Sequence, residues 1–196
     1  MNFKLRPKLR AIISCNKYQF NSSYTAKILQ SLYPENKKTF SDLTKEFGIN
    51  CRKDLSRLKH KGLIESYEGK YGLTYLGIWF AISNQLHISF LELCLLACAC
   101  CVQARFNSNG TKGVYPIYYF EEIFKKYYSK QRLTQVCSDI RTAGFGYKAS
   151  KKTLIIYPKV HEKLIHKYGV YFQKLEAWLD DIQERESEII SSVLGI

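Results

Sequence analysis

Five side chains able to bond nucleic-acid edges cluster between positions 51 and 61. Arginine has a planar fork that can bond both acceptors of a guanine edge, serine can donate or accept, and lysine most often meets phosphate. On a helix from Cys51 to about Lys61, positions 51, 55, 58 and 62 share one apolar or small face. The opposite face then carries Arg52, Lys53, Ser56, Arg57 and His60. Such a face is either an ordinary solvated surface or one that enters the major groove of DNA.

Basic residues elsewhere are candidates for phosphate contacts. Lys70 stands between Gly69 and Tyr71 in a predicted hairpin, where it serves either solubility or a phosphate or minor-groove contact. A denser basic patch occurs later in the chain and consists of Arg141, Lys148, Lys151 and Lys152. Beside it, a second candidate recognition face carries Thr134, Gln135 and Ser138.

Two short helices joined by a tight turn are predicted to position the first cluster. Thr39 or Ser41 can cap a helix that Gly48 ends, and Asn50 can cap the next helix, which Gly62 ends. Two helices around a short turn containing glycine form a helix-turn-helix arrangement. An earlier helix, residues 23–33, ends before Pro34 and contributes to the core through Tyr24, Ile28, Leu29 and Leu32.

A hairpin is predicted directly after these helices. Residues 63–74 read as two strand-like runs around a turn at Gly69–Lys70. Thr74 can cap the following helix, whose apolar side chains are Leu76, Ile78, Trp79 and Ile82.

These positions resemble the signature of winged-helix transcriptional regulators and are similar to bacterial and archaeal regulators of the MarR and PadR type. The resemblance covers roughly residues 23–82 and is carried by Leu55, Leu58, Lys61-Gly62-Leu63-Ile64, Gly69, Tyr71, Leu73-Thr74 and Gly77. It implies a winged helix-turn-helix that binds double-stranded DNA.

The second half repeats this outline. Helices are predicted at 89–104, near 118–127 and at 130–143, the last one ended by Gly144, and a basic hairpin follows at 146–157. Leu133, Val136, Cys137 and Ile140 would face the core. This region is either a second, degenerate winged helix or an α/β appendage that packs on the first domain.

One long helix is predicted from about Pro158 to Val193. Its large apolar residues alternate by four and three, which is the spacing of a coiled-coil seam: Leu164, Tyr168, Tyr171, Leu175, Trp178 and Ile182. The seam predicts a homodimer, which suits two-fold symmetric DNA sites, or else a helix packed back on its own domain.

Four cysteines on the helix after residue 89 are Cys94, Cys98, Cys100 and Cys101. They lack the paired knuckles of zinc sites, so core packing is favoured over redox sensing, a disulfide or a metal. The sequence shows no phosphate-binding glycine loop, nucleophile elbow or acidic metal cluster either. We therefore predict no enzyme activity, no cofactor, no metal and no small-molecule substrate.

The charge of the chain indicates a polyanionic partner. The 196 residues carry a net charge of +13, and residues 1–80 hold 15 basic side chains against 6 acidic ones. Residues 111–196 hold 14 basic and 10 acidic side chains, and the stretch from Glu176 to Glu188 is acidic. The start of the chain lacks the apolar run of a signal peptide, and polar residues interrupt residues 78–102, which predicts an intracellular protein with no membrane contact.

Together these patterns predict a mainly α fold with small β-hairpin wings (α+β) in three parts: a winged helix-turn-helix at 1–85, a degenerate second one at 86–158 and a long helix at 159–196. The expected function is sequence-specific binding of double-stranded DNA, most simply transcriptional regulation. The alternatives are a tandem winged-helix replication initiator or architectural protein, and a winged-helix protein-interaction module in a transcription or replication complex.

Overall fold

The computed structural model describes residues 23–109, 116–125, 128–149 and 153–194. The basic positions 4, 6, 8 and 10 and the predicted DNA-binding residues Lys151 and Lys152 lie outside these ranges. The described chain is mainly helical, with small antiparallel sheets and a long C-terminal helix, as predicted. It divides into two compact units with the boundary between Phe90 and Leu91.

The first unit has the element order helix, strand, two helices, two strands and a further helix. Its elements are α1 (Ser23–Leu32), β1 (Lys38–Thr39), α2 (Phe40–Phe47), α3 (Cys51–His60), β2 (Ile64–Tyr67), β3 (Lys70–Leu73) and α4 (Tyr75–Gln85). The strands form one antiparallel sheet in the order β1-β3-β2. The sheet thus brings the short strand before α2 against the hairpin that follows α3.

Local capping explains where α2 and α4 begin. The Thr39 hydroxyl accepts a hydrogen bond from the Asp42 backbone N–H, and the Asp42 carboxylate accepts one from the Thr39 backbone N–H. This reciprocal capping box fixes the start of α2. Thr74 caps α4 by accepting from the Gly77 backbone N–H, as predicted.

Two predictions about the helices of the first unit are wrong. Asn50 precedes α3 but has helical backbone angles and makes no side-chain capping bond, because the three-residue turn from Gly48 already leads the chain into the helix. Tyr24 is 52% exposed, and Thr25 is buried in its place beside Ile28 and Leu29. The inward face of α1 is therefore rotated by one residue at its first turn.

The hairpin turn lies one residue earlier than predicted. Tyr67 pairs with Lys70, so the turn consists of Glu68 and Gly69, and both have positive φ, 49° and 74°. Two-residue hairpin loops favour this geometry because it matches the twist of the strands. Lys70 is consequently the first residue of β3, between Tyr67 of β2 and Thr39 of β1.

The second unit contains α5 (Phe90–Asn109), α6 (Pro116–Phe124), α7 (Lys130–Thr142), β4 (Gly146–Lys148), β5 (Leu154–Ile156) and α8 (Pro158–Leu194). The two strands pair antiparallel. The side-chain amide of Gln103 on α5 bonds both the backbone N–H and the carbonyl of Ile156 at 2.9 and 3.0 Å. This amide satisfies the backbone hydrogen-bonding groups of Ile156 at the outer edge of β5, where no third strand pairs within the described residues.

The C-terminal helix packs on its own unit over the part whose side chains are described. Of the predicted seam residues, Leu164, Tyr168, Leu175 and Ile182 are buried, whereas Phe172 and Leu179 replace Tyr171 and Trp178 on the buried face. The Arg105 guanidinium on α5 holds the Glu176 carboxylate of α8 through two bonds of 2.6 and 2.8 Å. The alternative of a helix packed back on its domain therefore holds for residues 164–182.

No single helix among the described residues is long and apolar enough to cross a membrane. The helices Tyr75–Gln85 and Phe90–Arg105 together reach that length and composition, but the chain bends by 93° between them.

Candidate nucleic-acid interface

The polar cluster predicted on the third helix lies on one outward face of α3. Cys51, Leu55 and Leu58 are at most 2% exposed and fix the inward face. All five candidates are exposed: Arg52, Lys53, Ser56, Arg57 and His60. With 3.6 residues per turn, Lys53 and His60 lie opposite the buried residues, and the others flank them.

Asp54 is the acidic side chain on this helix, and it pairs with Arg57. The carboxylate and guanidinium are 3.4 Å apart, with the arginine side chain 58% exposed and the aspartate 20% exposed. An exposed pair at this spacing stabilises a helix only slightly. Arg57 can therefore exchange this partner for a phosphate at little cost, whereas Arg52 and Lys53 have no ion-pair partner among the described residues.

Lys59 was not predicted as a site residue, and it connects α3 to the hairpin. Its ammonium donates to the Ser66 hydroxyl of β2 at 2.8 Å. Ser66 lies on the same face of β2 as the buried Ile64, which turns it toward α3. The bond spans seven residues across two elements, so no helical or strand spacing in the sequence indicates it.

The acidic groups of α2 are engaged locally. Bonds from the Thr39 side chain and backbone lower the pKa of Asp42 below its ordinary value. The Lys38 ammonium lies 2.6 Å from Glu46 and lowers the pKa of that carboxyl, and the Ser31 hydroxyl also donates to it. Both carboxylates thus accept hydrogen bonds, and that of Glu46 also forms an ion pair.

The hairpin end presents a mixed surface. Tyr67 is 68% exposed and is paired with the exposed Lys70, the predicted phosphate-contacting lysine. Glu68 in the turn places a negative charge beside that lysine. The hairpin is therefore less basic at its end than the prediction assumed.

The second unit repeats the hydrogen-bond pattern of the first at the end of its own helix. Gly62 and Leu63 donate to Lys59 and Leu58, closing α3 with Gly62 at φ +69°. Gly144 and Phe145 donate in the same way to Arg141 and Ile140, with Gly144 at φ +78°. Both ends are Schellman motifs, which glycine favours because it tolerates positive φ.

The repeat continues through both hairpins. Thr74 N–H donates to the Leu63 carbonyl, and Tyr157 N–H donates to the Phe145 carbonyl, each at 3.1 Å. A helix begins immediately after each of these residues, α4 in the first unit and α8 in the second. Counted from the glycines, α7 corresponds to α3 and β4–β5 to β2–β3.

The α7 face differs from its α3 counterpart in charge. Leu133, Val136, Cys137 and Ile140 are buried, which confirms the predicted inward face. Thr134 and Gln135 are exposed and Ser138 is half-buried. Asp139 accepts from Gln135 at 2.7 Å and pairs with Arg132 at 3.4 Å. An acid thus occupies the position that Arg57 has in α3.

The remaining predicted residues of the second unit are placed at its hairpin. Arg141 is exposed near the end of α7, and Lys148 is exposed as the last residue of β4. Next to them, Tyr147 and Tyr157 are each 43% exposed, and their ring centroids lie 5.8 Å apart.

The cysteines pack in the core, which confirms the favoured interpretation. Cys94, Cys98, Cys100 and Cys101 are at most 3% exposed and unpaired. Burial raises the pKa of all four thiols, that of Cys101 to about 12, so they are protonated at neutral pH and poor nucleophiles. The described side chains contain no group of three or more histidine, cysteine or acidic residues arranged to hold a metal ion.

No protein-family model, curated protein or solved structure matches the chain. The assignment of a function therefore rests on the geometry described above.

Proposed function

We propose that the first unit is a winged helix-turn-helix that binds double-stranded DNA in a sequence-specific way and serves transcriptional regulation. In this proposal α3 enters the major groove, α2 supports it, and β2–β3 is the wing. The observation that carries the proposal is the outward face of α3, where Arg52, Lys53, Ser56, Arg57 and His60 are exposed together.

The arrangement around α3 supports the same proposal. Residues 48–50 join α2 and α3, and Gly48 has φ +79°. Recognition helices of helix-turn-helix proteins follow such short turns and contact base edges with exposed polar side chains. The bond from Lys59 to Ser66 holds the hairpin against the helix.

Selection of a binding site from random duplex DNA, followed by affinity measurement, tests the proposal. Arg52→Ala is expected to weaken binding to the selected site about 10- to 100-fold and to leave binding to unrelated duplex nearly unchanged, because a lost base contact costs about 1–3 kcal/mol. Lys27→Ala removes one exposed charge from α1 of the same unit and is the matched control. Equal affinity of both variants for the selected site would contradict the recognition role.

A tandem arrangement, as in a replication initiator or architectural protein, is a second candidate that the repeated hydrogen bonds favour. If both units bind, one chain protects an extended stretch of DNA. If the first unit alone binds and the chain forms the predicted homodimer, two chains protect half-sites roughly 34–36 Å apart. Footprinting combined with the stoichiometry of the complex by analytical ultracentrifugation distinguishes these cases.

A complete lack of duplex binding at low salt, together with a stable protein partner, would instead assign the first unit to protein interaction.

A further inference from the structure

We propose that the second unit binds unpaired bases of single-stranded nucleic acid, through the aromatic pair Tyr147 and Tyr157 on the outer face of its hairpin. This activity goes beyond duplex recognition by α3 and does not depend on it. The ligand class follows from the chemistry of the surface, which combines flat aromatic rings with neighbouring positive charge.

The two rings stand on the solvent side of the β4–β5 hairpin. Leu154 and Ile156 are buried, so the alternating side chains of this hairpin point outward. Tyr147 is paired with Ile155, which lies between the two buried residues, and Tyr157 follows β5. The rings are 5.8 Å apart with an interplanar angle of 38°, and each tyrosine is 43% exposed.

Tyr157 does not serve as the cap of the helix that follows it. By the shared hydrogen-bond pattern, Tyr157 corresponds to Thr74, whose hydroxyl caps α4. A phenol cannot reach back to cap its own helix in this way, and Pro158 removes one of the N–H groups that a cap would satisfy. The first unit has no aromatic pair at the equivalent positions, since Tyr147 corresponds there to Glu65.

The surroundings of the pair suit a polyanion that carries flat rings. Lys159 is exposed two residues after Tyr157, and Arg141 is exposed at the end of α7 before the hairpin. Lys148 is exposed next to Tyr147, but its pairing with the buried Leu154 places it on the other face of the hairpin. Glu162, one turn into α8, is the nearest exposed acid along that helix. Every base has a face that stacks on an aromatic ring, so such a surface binds single strands with little sequence preference.

The proposal is tested on the full chain by fluorescence anisotropy with labelled oligo(dT) and oligo(rU). Each oligonucleotide is about 15 nucleotides long, which is on the order of one binding site. The double variant Tyr147→Ala/Tyr157→Ala is expected to bind the preferred single strand about tenfold more weakly or worse. Tyr147→Phe/Tyr157→Phe keeps the rings and is expected to bind like the unaltered chain. Tyr24→Ala, which removes an exposed tyrosine from the first unit, is the matched control.

Two further readouts separate stacking from a general effect. The alanine variant changes no charge, so its affinity for a single strand should fall at every salt concentration while the salt dependence stays the same. Its binding to duplex DNA should be unchanged, and it should remain folded with a slightly lower melting temperature, because the contact between the two half-exposed rings is lost. The two oligonucleotides identify DNA or RNA as the preferred strand.

The proposal is overturned if the unaltered chain fails to bind either oligonucleotide at 50 mM salt, a low-salt condition, or if the alanine variant binds both strands as well as the unaltered chain does. An equal loss of duplex and single-strand binding in the alanine variant also overturns it, because the pair would then not select unpaired bases. Failure of duplex binding alone would affect the function proposed for α3 and not this one.

Discussion

Gly77 permits a close approach between the start of α4 and the carbonyl of Leu63. A Cβ atom at this position would lie 1.9 Å from the Leu63 oxygen, far inside van der Waals contact. The same carbonyl accepts hydrogen bonds from the backbone and hydroxyl of Thr74. The junction between hairpin and helix therefore depends on one residue without a side chain.

We predict that Gly77→Ala destabilises the protein by about 3 kcal/mol or more, because the backbone must move to relieve the overlap. Urea denaturation followed by circular dichroism measures this change. Gly169→Ala is the matched control, since a Cβ there meets Ile165 at an ordinary 3.5 Å within α8. That substitution should be neutral or stabilising, by up to about 1 kcal/mol. Equal effects of the two substitutions would contradict the packing of α4 described above.

Glu68 occupies a backbone conformation that non-glycine residues seldom adopt, with φ +49°. Asparagine followed by glycine is the preferred pair for a hairpin turn with two positive φ values. We predict that Glu68→Asn stabilises the first unit by about 0.5–1 kcal/mol. Thermal melting measures the effect.

Glu65→Gln, which removes an exposed charge from the same hairpin without changing the turn, should leave the melting temperature unchanged. A destabilised Glu68→Asn variant would show that the turn has a different geometry.

At the scale of elements, the start of α2 is fixed by a cap that includes the Asp42 carboxylate. Hydrogen bonds from Thr39 lower the pKa of Asp42 below its ordinary value of 3.8, so the ionised form is favoured in the folded state. The contribution to stability is then present above about pH 4 and is lost as the pH falls through the lowered pKa.

We predict a melting temperature that falls on acidification from pH 5 to pH 3, and a smaller fall for Asp42→Asn, which removes the titrating group. Differential scanning calorimetry over this pH range measures both. Glu35→Gln controls for general loss of charge, because Glu35 is exposed and outside the capping box. Identical pH profiles of Asp42→Asn and the unaltered chain would exclude a role of the capping box in acid stability.

Most element boundaries were predictable because they depend on local chemistry. Thr39, Thr74 and the glycines 48, 62 and 144 act within a few residues, so their effect is visible in the sequence. The turn at Glu68–Gly69 was displaced by one residue because strand pairing, including the contact of β1 with β3, decides the register. The bonds Lys59–Ser66 and Gln103–Ile156 join distant elements and leave no periodic signal.

At the scale of the whole molecule, the long helix illustrates the limit of periodicity. An apolar stripe at alternating spacings of four and three fits either a second chain or the helix's own domain. Tyr168 is buried within the chain as the stripe predicts, but Phe172 and Leu179 displace Tyr171 and Trp178 from the buried face. Which surface covers the stripe depends on tertiary packing, which the spacing of residues in one element does not encode.

The proposed function predicts that a lysine facing DNA and a lysine elsewhere on the surface affect the salt dependence of binding differently. Lys53 lies at the centre of the outward face of α3, and Lys163 is also exposed, on α8. Each phosphate that a lysine neutralises releases counterions and adds about 0.9 to the salt dependence of the logarithm of the binding constant. A lysine that faces DNA is thereby distinguished from one that only adds to the net charge.

The central claim, that α3 is the DNA-contacting element, is tested most directly by duplex binding across a salt series for the unaltered chain, Lys53→Ala and Lys163→Ala. We predict a steep linear fall of log affinity with log salt, a slope that is smaller by about 1 for Lys53→Ala, and an unchanged slope for Lys163→Ala. The same slope for all three proteins, or no duplex binding at low salt, would contradict the claim.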